Sequence, residues 1–175
     1  MDKALWDKAI AFHGHACPGL AIGFKACEAA REKLGIGASE DEEVACVTEN
    51  DACGVDAIQA LLSCTLGKGN LIYRGTGKQA FTFYDRKNGK KLRMCLKDGK
   101  KPGMERADWQ DYLLKAPVDE IFSFSTPAAD FPERARLFSS VKCEICGENA
   151  AEGMMRLQDG KRVCVDCFKG YSRGW

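Results

Sequence analysis

Hydrophobic residues recur at helical spacing in three stretches of the first 66 residues. Apolar positions three or four residues apart predict a short helix over residues 5–12. A longer helix with many small residues is predicted from residue 20, and Gly35 is a typical residue to end it. A third helix is predicted from about residue 55 to near residue 66. The small residues of the second helix indicate that another element packs closely against it.

Alternation of apolar and polar residues predicts strands in the middle of the chain. It is clearest on either side of Asn88-Gly89, a pair that favours a tight hairpin turn. The apolar positions of these two strands are Phe81 and Phe83 on one and Leu92, Met94 and Leu96 on the other. Further strands are predicted at 43–49, 70–74 and 118–125, and a helix at 109–116. Helices and strands are mixed without a regular repeat, so the predicted fold class is α+β.

Two Cys-x2-Cys pairs dominate the C-terminal part of the chain. Prolines and charges between residues 126 and 142 mark a boundary, and we predict an α+β core domain over 1–138 and a zinc finger over 139–175. The pairs are separated by 17 residues, which fits a four-cysteine zinc site. The predicted ligands are Cys143, Cys146, Cys164 and Cys167.

Four thiolates complete a tetrahedral shell, so this zinc is expected to be structural. An iron centre of the rubredoxin type is the alternative. Between the pairs, Asp159-Gly160 predicts a hairpin turn, and a short final helix is predicted from the second pair. That order of elements resembles treble-clef zinc fingers.

Composition narrows the class of protein. Hydrophobic content of 45% and charged content of 29% are typical of soluble globular proteins, and no apolar run reaches the roughly 18 to 20 residues of a membrane span. Residues 1–12 lack the pattern of a signal peptide, so the expected location is the cytoplasm, with no membrane partner. There, ten cysteines indicate metal and thiol chemistry rather than disulfides. Four of them lie in apolar runs and are predicted to be buried: Cys27, Cys46, Cys64 and Cys95.

Charge is distributed unevenly along the chain, although the net charge is only +1. Residues 1–66 hold 5 basic and 11 acidic side chains, whereas residues 67–115 hold 13 and 5. A solvated surface facing the chain's own acidic part is the usual explanation of such a basic block. A nucleic acid is the alternative partner. It would use the basic hairpin, defined here as Arg86, Lys87, Lys90, Lys91, Arg93 and Lys97, with Tyr73 and Tyr84 for stacking.

Both histidines of the chain lie within five positions of a cysteine, in the stretch "FHGHACPG". In an extended segment, His13, His15 and Cys17 share one side. Pro18 favours an extended conformation for Cys17 and suits the first position of the following helix, which places Cys17 at its N-cap. There, the helix dipole favours the thiolate.

The stretch "ENDACG" repeats this arrangement, because Cys53 precedes a glycine and a predicted helix. If the two helix N-termini face each other, four side chains can share a pocket: His13, His15, Cys17 and Cys53. Glu49 and Asp51 would lie nearby. The pocket would be an open metal site or a thiol pair. Alternatively, both cysteines are ordinary turn residues, Asp51 caps a helix and the histidines bind backbone carbonyls.

Three motifs resemble the FmdE family of formylmethanofuran dehydrogenase proteins: "FHGHACPGLAIGFKA", "ENDACGVDAIQALLSCTLGKGNL", and "CEICGE" with "CVDCF". The resemblance covers the whole chain. It implies an α+β core of unusual topology, a C-terminal zinc finger and a homodimer. It also implies a functional site at the residues that match two family motifs: His13, His15, Cys17, Asn50, Asp51 and Cys53. The family name suggests, as a partner, the molybdenum or tungsten enzyme complex that reduces carbon dioxide onto methanofuran.

The residues and the resemblance together predict a cytoplasmic metal-binding accessory protein, associated with an oxidoreductase rather than a complete enzyme. His15 and Cys17 would bind a second, core metal, Cys53 would be a ligand or a partner thiol, and His13 a ligand or an orienting residue. Mixed imidazole and thiolate ligands suit zinc, nickel, copper or iron. If the site is redox-active instead, Cys17 and Cys53 are its catalytic thiols. A further hypothesis makes Cys17 a nucleophile with a histidine base.

Overall fold

The computed structural model describes residues 1–100 and 102–173. The chain divides into two compact units, Met1–Ala135 and Arg136–Trp175. The first carries both motifs that contain Cys17 and Cys53, and the second carries the two Cys-x2-Cys pairs. The candidate sites therefore belong to separate units.

Five helices belong to the first unit. They are α1 (Lys3–His13), α2 (Pro18–Leu34), α3 (Gly54–Leu62), α4 (Arg106–Lys115) and α5 (Val118–Ile121). The Asp2 carboxylate caps α1 by accepting hydrogen bonds from the backbone N–H of Ala4 and Leu5. Gly35, in the left-handed conformation, ends α2 as its sequence position predicts.

One five-stranded sheet completes the first unit. Its strands are β1 (Val44–Thr48), β2 (Leu71–Tyr73), β3 (Ala80–Asp85), β4 (Lys90–Leu96) and β5 (Phe122–Ser125). The spatial order is β2-β1-β3-β4-β5, and only the β1–β2 pair is parallel. Phe81 lies opposite Met94, and Phe83 opposite Leu92, so the predicted alternation is confirmed.

The two faces of the sheet are covered differently. Cys46 and Phe83 face the main core, in which they join Phe24 of α2 and Ile58 of α3. The opposite face carries a small cluster built around Val47. Since β1 alternates between two covered faces, all of its five residues are buried. The strand therefore holds the loop that follows it in a fixed place.

Two elements end earlier than their sequences predict. Helix α3 stops at Leu62, because Ser63 takes a left-handed conformation and turns the buried Cys64 toward the carbonyl of Val44, 3.7 Å from its sulfur. The β3–β4 hairpin has a four-residue turn over 86–89 rather than a two-residue turn. The Asp85 carboxylate accepts hydrogen bonds from two backbone N–H groups of that turn, which lengthens it.

The strand predicted over residues 118–125 is only half correct. Val118–Ile121 forms a single helical turn, and only Phe122–Ser125 is a strand. Val118 and Ile121 are three positions apart and both buried, so a helical turn puts them on one face, which alternation would not.

The second unit consists of two short two-stranded sheets: β6 (Ser140–Lys142) with β7 (Asn149–Ala151), and β8 (Met155–Gln158) with β9 (Lys161–Cys164). Asp159 and Gly160 both have positive φ and form the predicted hairpin turn. The predicted final helix is wrong, because Cys164–Cys167 form a turn and no helix follows within residues 168–173. The α+β class with a four-cysteine C-terminal finger is confirmed.

Membrane spans were sought among the helices of residues 1–100 and 102–173. None of them combines the length and the apolar character that crossing a bilayer requires.

Candidate metal centre

Cys17 stands at the start of α2, where the sequence predicts it. Its backbone is extended, Pro18 takes the first helical position, and Sγ accepts a hydrogen bond from the backbone N–H of Leu20 at 3.3 Å. Only 2% of the residue is exposed. The sulfur therefore points into the protein and not to solvent.

His13 reaches Cys17 from the end of α1. Gly14, with φ of +94°, ends that helix and turns the chain, which folds the imidazole back over the cysteine. The distance from His13 Nε2 to Cys17 Sγ is 3.7 Å. The contact arises from a helix end, so the extended segment predicted for residues 13–17 is not what brings these two side chains together.

Cys53 is brought to Cys17 by the close packing of α2 and α3. Gly23 and Gly54 lie at the crossing, and a Cβ atom added to Gly23 would overlap the backbone of Gly54. One turn earlier, a Cβ atom on Gly19 would lie 3.1 Å from Cys53 Cβ and 3.9 Å from Cys17 Sγ. The small residues of the second helix thus have the close neighbour that they predict, and this neighbour carries Cys53.

Three ligand atoms meet at this place. One nitrogen of His13 and the sulfurs of Cys17 and Cys53 all lie within 4.8 Å of one another. We call these residues the core group. His15 does not belong to it: its side chain is exposed, and its ring packs on that of His13 with 4.6 Å between ring centroids. The role of His15 as a direct ligand stays a prediction that this arrangement does not support.

A carboxylate that the sequence analysis missed supports the core group. The Asp56 carboxylate lies 2.7 Å from His13 Nδ1, and its other oxygen accepts a hydrogen bond from the side-chain amide of Gln59 at 3.3 Å. Asp56 stands three positions after Cys53, so on a helix the two side chains share a face. That spacing was the available signal.

The remaining motif residues have distinct positions. Asn50 is buried and braces the loop before Cys53, because its Oδ1 accepts from the N–H of Ala52 and its Nδ2 donates to the carbonyl of Lys78. Asp51 is exposed and lies at the mouth of a cavity. Neither residue belongs to the core group.

Glu49, expected near the site, holds the same loop from its other side. Its carboxylate accepts hydrogen bonds from Arg93 Nε at 2.6 Å and from the hydroxyl of Thr76 at 2.7 Å. The Arg93 guanidinium holds the pKa of Glu49 below its usual range. Glu49 therefore acts on the position of the loop and not within the core group.

A cavity of about 390 Å³ adjoins the core group. His13 and Cys53 form part of its wall, together with Asp51, Asp56 and other residues of the β1–α3 region. Ligand sites in proteins typically measure about 300 to 1,000 Å³, so the space suits a small molecule. The core group is thus open on one side.

The cysteines differ in how burial affects their thiols. Burial, followed by the neighbouring Cys17, raises the pKa of the Cys53 thiol, because two negative sulfurs this close would repel each other. Burial alone raises the pKa of Cys64 to about 12. Cys27, Cys46 and Cys64 are buried in the main core, as predicted, whereas Cys95 is only half-buried.

The four cysteines of the second unit form a separate cluster. The ligand atoms of Cys143, Cys146, Cys164 and Cys167 all lie within 4.8 Å of one another. Each pair sits on a tight turn: the N–H of Gly147 donates to the carbonyl of Cys143, and the N–H of Phe168 to that of Cys164. Backbone N–H groups, that of Cys164 foremost, point at the Cys143 sulfur and lower its pKa to about 6. Four convergent thiolate donors fit a tetrahedral zinc ion.

The basic hairpin is largely engaged within the first unit. Four of its six basic side chains bind groups of that unit: Arg86, Lys91, Arg93 and Lys97. For example, Lys91 Nζ donates to the carbonyl of Ala129 at 2.8 Å. Tyr84, expected to be available for stacking on bases, is only 3% exposed, so that expectation is wrong. These contacts favour the explanation of the basic block as a surface facing the protein itself.

Comparison with known families finds two matches along the chain. Residues 12–123 match the family described as FmdE, molybdenum formylmethanofuran dehydrogenase operon. Residues 136–173 match the prokaryotic dksA/traR C4-type zinc finger. The first match includes the whole core group, and the second includes all four clustered cysteines.

Two individual proteins show the same relationship. The chain is 30% identical to a probable S-adenosyl-L-methionine-binding protein of Archaeoglobus fulgidus over 94% of its own length, but it spans only about half (52%) of that relative. It also resembles the crystal structure of an FmdE-like protein of tungsten formylmethanofuran dehydrogenase from Syntrophus aciditrophicus. There the TM-score is 0.67 at 25% identity, covering 94% of this chain and 90% of the other. Since the family match alone spans well over half of its residues, the chain belongs to the FmdE family.

Proposed function

We propose that this protein binds a transition metal at the core group, in addition to the zinc of its finger. The observation that carries the proposal is the convergence of His13, Cys17 and Cys53, whose ligand atoms lie within 4.8 Å of one another although they come from three separate helix ends. Mixed imidazole and thiolate donors suit zinc, nickel, copper or iron rather than magnesium or calcium.

The Asp56 carboxylate supports a ligand role for His13. It lies 2.7 Å from Nδ1, so it favours the form of the ring in which Nδ1 carries the proton and Nε2 keeps a free lone pair. Nε2 is the nitrogen that faces the Cys17 sulfur. A carboxylate behind the ring is the usual support of a metal-binding histidine.

Three protein ligands leave a position free for a further ligand, unlike the four cysteines of the finger. His13 and Cys53 both line the 390 Å³ cavity, so a small molecule entering it would reach this position. When bound, such a metal supplies a Lewis acid to a molecule in the cavity. The residues themselves fix the donors, hold the proton on His13 Nδ1 and shape the space.

A redox thiol function uses the same two cysteines and is the main competitor. Cys17 and Cys53 are adjacent and both unbridged. A dithiol pair, however, does not require a third donor. The imidazole facing Cys17, with a carboxylate behind it, is what favours metal binding over a thiol pair.

The role in the cell is proposed from the family alone. We place the protein in the cytoplasm as a homodimeric accessory protein, associated with an oxidoreductase of the molybdenum or tungsten class. The archaeal relative is described as binding S-adenosyl-L-methionine, but nearly half of that relative lies outside the similarity. That ligand is therefore not part of the proposal.

The test is the metal content of the untagged protein, purified without chelator and measured by elemental mass spectrometry. Wild type should carry about two metals per chain, and Cys17→Ser about one. Serine keeps a side-chain oxygen that can cap α2, so the fold is retained while the soft sulfur ligand is lost.

Two further variants show which metal is lost. Cys167→Ser should lose the zinc of the finger and keep the core metal. Cys95→Ser, at a half-buried cysteine of β4 outside both clusters, should keep both metals. One metal per chain in wild type, with Cys17→Ser indistinguishable from it, would contradict the proposal and leave the thiol function.

A further inference from the structure

The cavity beside the core group combines negative charge with an apolar wall. Its lining includes the carboxylates of Asp51 and Asp56 and the side-chain amides of Asn50 and Gln59. Its apolar wall is formed by Val55, Leu66, Leu71 and Tyr73. No lysine or arginine lines it within the part of the chain that the structure describes.

The charges of the lining do not cancel. Two thiolates balance a divalent metal, and a metal-binding His13 is neutral, so neither offsets the two carboxylates. Asp56 is engaged with His13 and Gln59, whereas Asp51 has no hydrogen-bond partner among residues 1–100 and 102–173. An anionic molecule would be repelled here, and a cation would find a carboxylate at the mouth of the cavity.

Tyr73 gives the apolar wall an aromatic surface in a fixed position. A Cβ atom added to Gly75 would overlap the phenol oxygen, so the tyrosine side chain lies directly over the backbone of its own loop. The residue is nevertheless 58% exposed, and Leu66 on the same wall is 73% exposed. Two large exposed apolar side chains at a cavity that also holds carboxylates fit an organic ligand better than water alone. An aromatic face also attracts an organic cation.

We propose that this cavity binds a small organic cation with an apolar or aromatic body, placed next to the core group. The proposal deepens the proposed function by naming the class of ligand, and it rests on the core group only for the position of one wall. The positive group lies toward Asp51, and the apolar body lies along Leu66, Leu71 and Tyr73.

Three probes of similar size test the proposal: phenethylamine, which is cationic, 2-phenylethanol, which is neutral, and 3-phenylpropanoate, which is anionic. Binding to the full chain is followed by ¹H–¹⁵N NMR titration, with metal content measured on the same sample. The backbone amide of Ala52 and the side-chain amide of Gln59 report on the cavity itself. Phenethylamine should bind about fivefold more tightly than 2-phenylethanol, as one partly exposed ion pair provides. The anion should bind most weakly.

Asp51→Asn should remove about a fivefold preference for the cation without changing the affinity for the alcohol. Asp111→Asn, on the exposed face of α4, is the matched control and should change neither. Equal or tighter binding of 3-phenylpropanoate, an unchanged preference in Asp51→Asn, or no binding of any probe would overturn the proposal. A chain that lacks the core metal but still prefers the cation would overturn the metal function and leave this inference standing.

Discussion

The core group and the finger use the same kind of donor but are built in opposite ways. In the finger, each pair of cysteines lies on one tight turn, and backbone N–H groups next in sequence stabilise the sulfur of Cys143. In the core, the donors come from the end of α1 and the starts of α2 and α3, so they meet only when the first unit has folded.

This difference separates the roles of the two sites. A four-thiolate shell built from local turns is closed, and in so small a unit its metal contributes to folding. A three-donor group built on packed helices is in place before any metal binds, and it leaves one side open to a cavity. Rigid elements that present an incomplete set of ligands are what a site for binding or catalysis needs.

The packing of α2 on α3 is the strongest test of this comparison. Gly23→Ala places a Cβ atom against the backbone of Gly54 and should force the helices apart, which lowers the free energy of unfolding of the first unit by about 3 kcal/mol. The core metal should be lost and the zinc of the finger kept. Urea unfolding and metal content measure the two effects.

Gly37→Ala is the matched control for that variant. Gly37 is exposed, has no positive φ, and a Cβ atom there would meet nothing within 4 Å. Its stability and its content of two metals should equal those of wild type. If Gly23→Ala were as stable as the control and kept both metals, the core group would not depend on the helix crossing.

The support behind His13 gives the next prediction. Asp56→Asn removes the negative charge that orients the ring, so the affinity of the core group for zinc should fall about 10-fold to 100-fold. Competition with a chromophoric chelator measures this affinity, and the finger zinc should not change. Asp56→Glu should restore part of the affinity, because it returns the carboxylate.

A purely structural role for Asp56 would give a different result. In that case, the asparagine and glutamate variants would both lower the free energy of unfolding, and the zinc affinity of the folded protein would match wild type. Unchanged affinity in Asp56→Asn would therefore contradict the role of the carboxylate and weaken the assignment of His13 as a ligand.

The same contrast explains what the sequence could predict. The spacing of the four cysteines is enough for the finger, because each turn is local. Cys17 at its N-cap is also predictable, because Pro18 and the following helix are its neighbours in sequence. The predicted final helix is wrong because nothing packs on it locally: residues 168–173 carry no buried apolar side chain that would hold a helix.

The core group required long-range information. His15 lies closer in sequence to Cys17 than His13 does, yet Gly14 turns the chain so that only His13 faces inward. Asp56 was missed because nothing in the order of residues relates it to a histidine 43 positions earlier. The close approach of Gly23 and Gly54 creates that relation, and it becomes visible only when the helices are packed.

The smallest predicted effect concerns the ion pair between Glu49 and Arg93, which braces the loop before Cys53. Arg93 holds the pKa of Glu49 below its usual value, with Lys78 adding to the effect. The pair therefore stabilises the fold above the unfolded pKa of about 4.3, and this contribution is lost as the pH falls through the lower folded pKa. Glu49→Gln should cost about 1 kcal/mol at pH 7 and progressively less below pH 4.

Urea unfolding of wild type and Glu49→Gln at pH 7 and pH 3 measures this difference, and the same pair in an Arg93→Met background is the control. There the substitution of Glu49 should show no such dependence on pH, because the partner is absent. A difference that stayed the same at both pH values would show that Glu49 holds the loop through Thr76 rather than through its charge. In the finger, by contrast, the turns that carry the cysteines are stabilised by their own backbone, so the same change of pH should act there on the thiolates and not on a supporting ion pair.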